Sequence, residues 1–111
     1  MKSSLKSATK AEKRRFMRLQ DVGCIACRIA VGTGGIPSDI HHILSGGRRI
    51  SHSATLPLCC WHHRGLPVGD MDIDAMDLLL GPSLALSKRR FINRFGTEME
   101  LLEMVNKILS G

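Results

Sequence analysis

The sequence predicts a small α+β domain: a β-hairpin held by a cluster of cysteines and histidines, with helices on either side. Three observations carry this expectation. "CIAC" and "LCCWHHRG" form two tight knuckles, Cys24-x-x-Cys27 and Cys59-x-x-His62, with Cys60 and His63 beside the second. Between them lies a strand–turn–strand pattern centred on Gly46-Gly47. At both ends, a capping box opens a helical pattern, Thr9 to Glu12 and Thr97 to Glu100.

Each element follows from its residues. Residues 1–8 have no apolar pattern and are expected to be disordered. A helix should start near Lys10, run through "KAEKRRFMRLQ" with Phe16 and Leu19 facing inward, and stop at Gly23. "VGTGGIPSD" (31–39) is rich in glycine and reads as loop. "DIHHIL" (39–44) is a strand, "SGGR" a turn, and "RISHSATLPL" (49–58) a second strand bending towards Pro57. A short helix should run from about Cys60 to Gly65. "DMDIDAMDLLL" (70–80) begins with aspartates where a helix dipole favours anions, and Gly81 ends it. "PSLALSKRRFINRF" (82–95) reads as another helix, stopped by Gly96. The last helix carries the stripe Leu101, Leu102, Val105, Ile108 and Leu109.

Length and charge bound the function. The chain has 111 residues, with one Trp and three Phe as its aromatic side chains, so one modest core is expected. The net charge of +6 favours a polyanionic partner, with DNA ahead of a membrane. No secretory signal or membrane-length apolar run is visible, so a cytoplasmic monomer is expected. Thiols stay reduced in that compartment, and four cysteines there point to metal rather than to disulfides.

Two-residue spacing lets both donors of a turn reach one ion, and zinc takes four N/S ligands tetrahedrally. Cys24, Cys27, Cys59 and His62 supply such a set for a structural zinc, closing the loop formed by residues 28–58. Cys60 could stand in for Cys59, although Cys59 keeps the two-residue spacing to His62. His41, His42, His52 and His63 are then left over. Adjacent strand residues point to opposite faces, which argues against one site taking both His41 and His42, unless twist at the strand end relieves the conflict.

The order of knuckle, "HHI", Gly-Gly turn, strand, "LC" and final "HH" over residues 24–65 resembles the HNH endonucleases. "HHILSGGRRISHSATLPLCCWHHRG" and "GPSLALSKRRFINRFGTEMELL" resemble the phage Ref proteins, recombination-enhancement nucleases that depend on RecA. That resemblance implies a zinc-stapled ββα-metal (HNH, treble-clef-like) core with flanking helices. It also implies a basic N-terminal tail and helix over 1–20, and a zinc-binding nuclease domain with C-terminal helices over 21–111. By motif position it makes His41 and His63 ligands of a catalytic Mg2+ or Mn2+, where zinc can substitute, and His42 the general base. No Asn lies between the hairpin turn and Leu58-Cys59, where the HNH pattern has one. His52 or Thr55 would take over its hydrogen bond, or His52 would ligate the ion itself.

The implied chemistry is hydrolysis of DNA phosphodiesters without sequence preference, working with a RecA filament in phage recombination. A divalent cation stabilises the charges of the transition state, and an imidazole with an ordinary pKa near 6.5 takes the proton of water. Arg48, Arg49 and Arg64 flank the motif as phosphate clamps. Lys13, Arg14, Arg15, Arg18, Lys88, Arg89 and Arg90 could track a DNA backbone, though the later cluster could equally pair with Asp70, Asp72, Asp74 and Asp77. The alternative is a non-catalytic, zinc-stabilised DNA-binding or recombination-accessory protein.

Overall fold

The computed structural model describes residues 6–111; the disorder expected of residues 1–5 lies outside the described residues. Helix α1 spans Lys10–Val22 and opens with the expected capping box, Thr9 and Glu12 satisfying each other's backbone N–H groups. Gly23 ends it at φ +76°, where a Cβ would lie 2.3 Å from the Gly34 carbonyl oxygen, so two backbones touch there.

A second helix, α2 (Ile25–Val31), occupies part of what the sequence suggested was turn and loop. Cys24 caps it through Sγ, which accepts the Cys27 N–H at 3.4 Å. Seven residues make too few turns to display a helical period, which is why the pattern missed it.

Strands β1 (Ser38–His42) and β4 (Thr55–Cys59) pair antiparallel, from Ser38 opposite Cys59 to His42 opposite Thr55. The two-residue strands β2 (Leu44–Ser45) and β3 (Arg48–Arg49) form a separate ladder around the Gly46-Gly47 turn. The expected single hairpin is therefore interrupted. From the pair His42–Thr55 to the pair Leu44–Arg49, one side advances two residues and the other six, leaving four extra residues in an outward arc. Ile43 straddles that arc, donating to Ala54 O and accepting from Ile50 N–H. The arc bonds itself: the Ser51 hydroxyl accepts from Ser53 and Ala54 N–H, and Thr55 Oγ1 donates to His52 O. His52 sits on this arc beside the end of β1.

The short helix α3 (Cys60–Arg64) follows β4 directly and ends at Gly65 in the left-handed region. Helix α4 (Ile73–Leu80) starts three residues later than the acidic run suggested, because Asp72 serves as its cap and accepts Ala75 N–H. The helix expected over 82–95 is confined to α5 (Lys88–Phe95). Ahead of it, Leu84 N–H donates to His62 O rather than to its own turn, and Ser87 caps the new start. Helix α6 (Glu98–Ser110) opens with the second capping box. Trp61, Leu56, Leu58, Phe91, Met76, Leu101 and Val105 are fully buried and form the core between the strand pair and the helices. Trp61 Nε1 donates to Gly81 O, which leaves its polar handle satisfied.

Candidate metal centre and active site

The two knuckles meet in the core. Cys24 and Cys27 come from the start of α2, Cys59 from the end of β4 and His62 from α3; their ligand atoms all lie within 4.8 Å of one another. His62 Nδ1 is 3.4 Å from Cys24 Sγ, 3.6 Å from Cys27 Sγ and 3.3 Å from Cys59 Sγ, and Cys27 and Cys59 are 3.7 Å apart. Metal–sulfur bonds of about 2.3 Å in a tetrahedron give donor separations of about 3.7 Å. The donor set therefore fits zinc in both chemistry and size.

Its surroundings favour the same use. The Leu80 carbonyl only accepts, so His62 Nε2, 2.8 Å away, carries a hydrogen and Nδ1 is the ring atom that faces the sulfurs. Burial opposes charge on His62, but hydrogen bonds to Cys24 and Cys59 together outweigh it and push its pKa up to about 9. Neighbouring thiols, Cys24 first, hold the Cys59 thiol far below its ordinary value. Cys60 turns away, its thiol towards Leu66 O at 3.5 Å.

The remaining histidines lie on β1, on the arc before β4 and on α3, in two groups divided by the strand itself. On one face, the rings of His41 and His63 stand edge to face with centroids 5.1 Å apart. His41 Nε2 bonds Glu98 Oε2 at 2.5 Å, and His63 Nδ1 bonds Asp39 Oδ2 at 2.9 Å. Each ring thus has one nitrogen oriented by a carboxylate and one left over. Lys88 Nζ stands 3.6 Å from Glu98 Oε1, and Arg64 Nε shares Asp39 Oδ2 at 2.9 Å.

On the other face, His42 Nε2 lies 2.9 Å from His52 Nδ1, and His52 Nε2 lies 2.6 Å from the Lys6 carbonyl oxygen. Phe16 of α1 packs edge-on against both rings, at 6.0 and 5.9 Å. Burial, and then the charge of Arg49, push the pKa of His42 down to about 4, so its ring is neutral near pH 7. Among the described residues, the three-cysteine and His62 group is the only set of three or more His, Cys, Asp or Glu with mutually close ligand atoms. His41 and His63 come together, His42 and His52 come together, and the two pairs do not converge on one point.

The basic residues divide as well. Arg48, Arg49, Lys13, Arg14, Arg18 and Arg89 are exposed. Arg14 and Arg18 line an open groove between α1 and α6 with Ala11 and Asn106, and Arg18 also reaches the Leu109 carbonyl. Arg15 is committed to the fold: its guanidinium donates to Thr55 Oγ1, Thr55 O and Asn106 Oδ1. Arg90 forms a two-pronged pair with Asp77, the intrachain attraction that was the alternative for this cluster.

Sequence reasoning passed over Asp39 and Glu98 and assigned Phe16 only to the core. Asp39 was detectable, since it precedes His41 by two on a strand and so shares its face. Glu98 lies 57 residues from His41 and carried no local signal. No helix among the described residues is long and apolar enough to cross a membrane. No curated protein matches the chain. The model of the family described as recombination enhancement, RecA-dependent nuclease matches residues 8–110. With nearly its whole length matched, and a metal-capable sulfur cluster beside paired histidines, the chain belongs to the recombination-enhancement, RecA-dependent nuclease family.

Proposed function

We propose that the chain is a metal-dependent DNA endonuclease of the HNH type, cutting without sequence preference beside RecA-coated DNA during phage recombination. The observation that carries this reading is the His41–His63 pair, each ring oriented by a carboxylate, with neutral His42 next along the strand. His41 and His63 would hold the divalent ion by their remaining nitrogens. When bound, that ion supplies Lewis-acid stabilisation of charge on the phosphoryl oxygens. Two protein ligands leave room for the waters that Mg2+ retains, and Mn2+ accepts imidazole more readily.

The chain's own groups do the rest. His42 takes a proton from water; its depressed pKa keeps it unprotonated over the working range, at the cost of a weaker base. Arg48, Arg49 and Arg64 flank the site where they can meet phosphates, and Arg64 is itself steadied by Asp39. Lys13, Arg14, Arg18, Lys88 and Arg89 offer contacts to the DNA backbone, which carry no sequence information. The structural zinc centre keeps β4 and α3, and so His63, in register with β1.

A non-catalytic DNA-binding or recombination-accessory role is the second reading, favoured by the way His41 and His42 turn to opposite faces. One assay separates the two. Single-stranded and joint-molecule DNA is incubated with Mg2+ or Mn2+, with and without RecA and ATP. The parent chain should cut, and His42→Ala should lose on the order of a hundredfold or more in rate while keeping its zinc and its melting temperature. Equal cutting by His42→Ala removes His42 as the base. No cutting by the parent under any condition supports the binding role.

A further inference from the structure

We propose that His52 is a positioning residue that fixes the tautomer of His42, and that the backbone just ahead of α1 fixes that of His52 in turn. The inference rests on the reading of His42 as the base and names the atom that would take the proton.

The argument starts from the end of the chain of hydrogen bonds. A carbonyl oxygen can only accept, so the nitrogen 2.6 Å from Lys6 O, His52 Nε2, must carry hydrogen. In a neutral imidazole the other nitrogen is then a bare lone pair, here His52 Nδ1. His42 Nε2, 2.9 Å away, must donate to it. That leaves Nδ1 of His42 as its lone-pair nitrogen, and no protein group among the described residues bonds it. One carbonyl thus sets the hydrogen positions on two rings in series.

The fold holds this relay in several places. The four-residue interruption of the hairpin carries His52 out of the ladder and back beside β1. The Thr55 hydroxyl, donating to His52 O, pins the arc, and Arg15 of α1 bonds the same hydroxyl. Phe16 covers an edge of each ring and limits the water that could compete for either nitrogen. An uninterrupted hairpin in the β2–β3 register would have set residue 52 opposite His41, with its side chain on the face away from His42.

The test reads hydrogen positions directly. Two-bond 1H–15N correlation spectra of the imidazoles, recorded on the full chain at pH 8 where an ordinary imidazole is neutral, distinguish the two tautomers. The parent should show Nε2–H on both His42 and His52. His52→Ala should shift the His42 ring nitrogens towards a mixture of tautomers and lower kcat about 10- to 100-fold with the KM for DNA unchanged. His52→Asn, whose amide oxygen can stand where Nδ1 stands, should restore both the tautomer and most of the rate. A purely structural residue would not move the His42 nitrogens in a variant that keeps its melting temperature. An Nδ1–H tautomer on parent His42, or unaltered His42 nitrogens in His52→Ala, overturns the relay. A confirmed tautomer in a chain that cuts no DNA would leave the relay standing and reject the nuclease reading instead.

Discussion

The sulfur centre and the histidine site share one strand pair and helix α3, yet they are built on opposite terms. Cys24, Cys27, Cys59 and His62 are at most 1% exposed and converge on one point. His41 and Glu98 keep 15% side-chain exposure, and His63 and Asp39 keep 26% and 34%, while His42 and His52 pair on the other face of the strand. A site that must hold a fold closed gains from burial, because desolvated sulfurs gain most from the cation they share. A site that, on the proposed reading, admits a phosphate and releases it cannot be sealed. Its side chains are held by partners from other elements, here by a carboxylate on β1 and another at the start of α6.

The sharpest way to break this comparison is to remove a sulfur. Cys24→Ala takes away one of the four side chains able to hold the ion and the cap of α2 together. Because binding energy at a structural zinc is also folding energy, the variant should lose its zinc and most of its cooperative melting transition. Metal analysis and thermal denaturation check both. A variant that melts as the parent does would mean the core stands without the ion.

Next in size is an effect confined to the histidine site. Glu98→Gln keeps the shape of the side chain but removes the charge that orients His41. The Glu98 carboxyl lies below its ordinary pKa, chiefly through its hydrogen bond to His41, so it is ionised near neutral pH and the pair is charge-assisted. Affinity for Mn2+ should fall about 10- to 100-fold, with zinc content unaltered. Calorimetric titration with Mn2+ measures this, and unchanged affinity would separate Glu98 from the metal-binding role given to His41.

The same contrast explains what could be read in the sequence. The sulfur centre was legible because each half is local: two-residue spacing is a property of one turn, and only the joining of the halves needed the fold. The division of His41 from His42 was legible too, since alternation along a strand fixes it. The pairing of His42 with His52 was not. It depends on four residues looping out between β3 and β4, and nothing in "RISHSATLPL" marks where a ladder will break. Glu98 belongs to a capping region that could be located in sequence, while the neighbour of its side chain could not. Helix limits failed where a competing bond outside the helix won, as at Leu84.

The smallest expected effect divides the basic residues of α1, which composition alone treats as equal. Arg15 and Arg14 are adjacent, yet Arg15 gives its guanidinium to Thr55 and Asn106 while Arg14 lines the open groove beside α6. Arg15→Ala would leave Thr55 O without this partner in a partly buried setting, at a cost of about 1–3 kcal/mol. It should lower the melting temperature and change the salt dependence of DNA binding little. Arg14→Ala should do the reverse, sparing stability and reducing the slope of log affinity against log salt by about one contact. Thermal melts and binding titrations at several salt concentrations read both variants together. If Arg15→Ala flattens the salt slope as much as Arg14→Ala, then Arg15 leaves Thr55 when DNA arrives, and the basic face of α1 works as one surface.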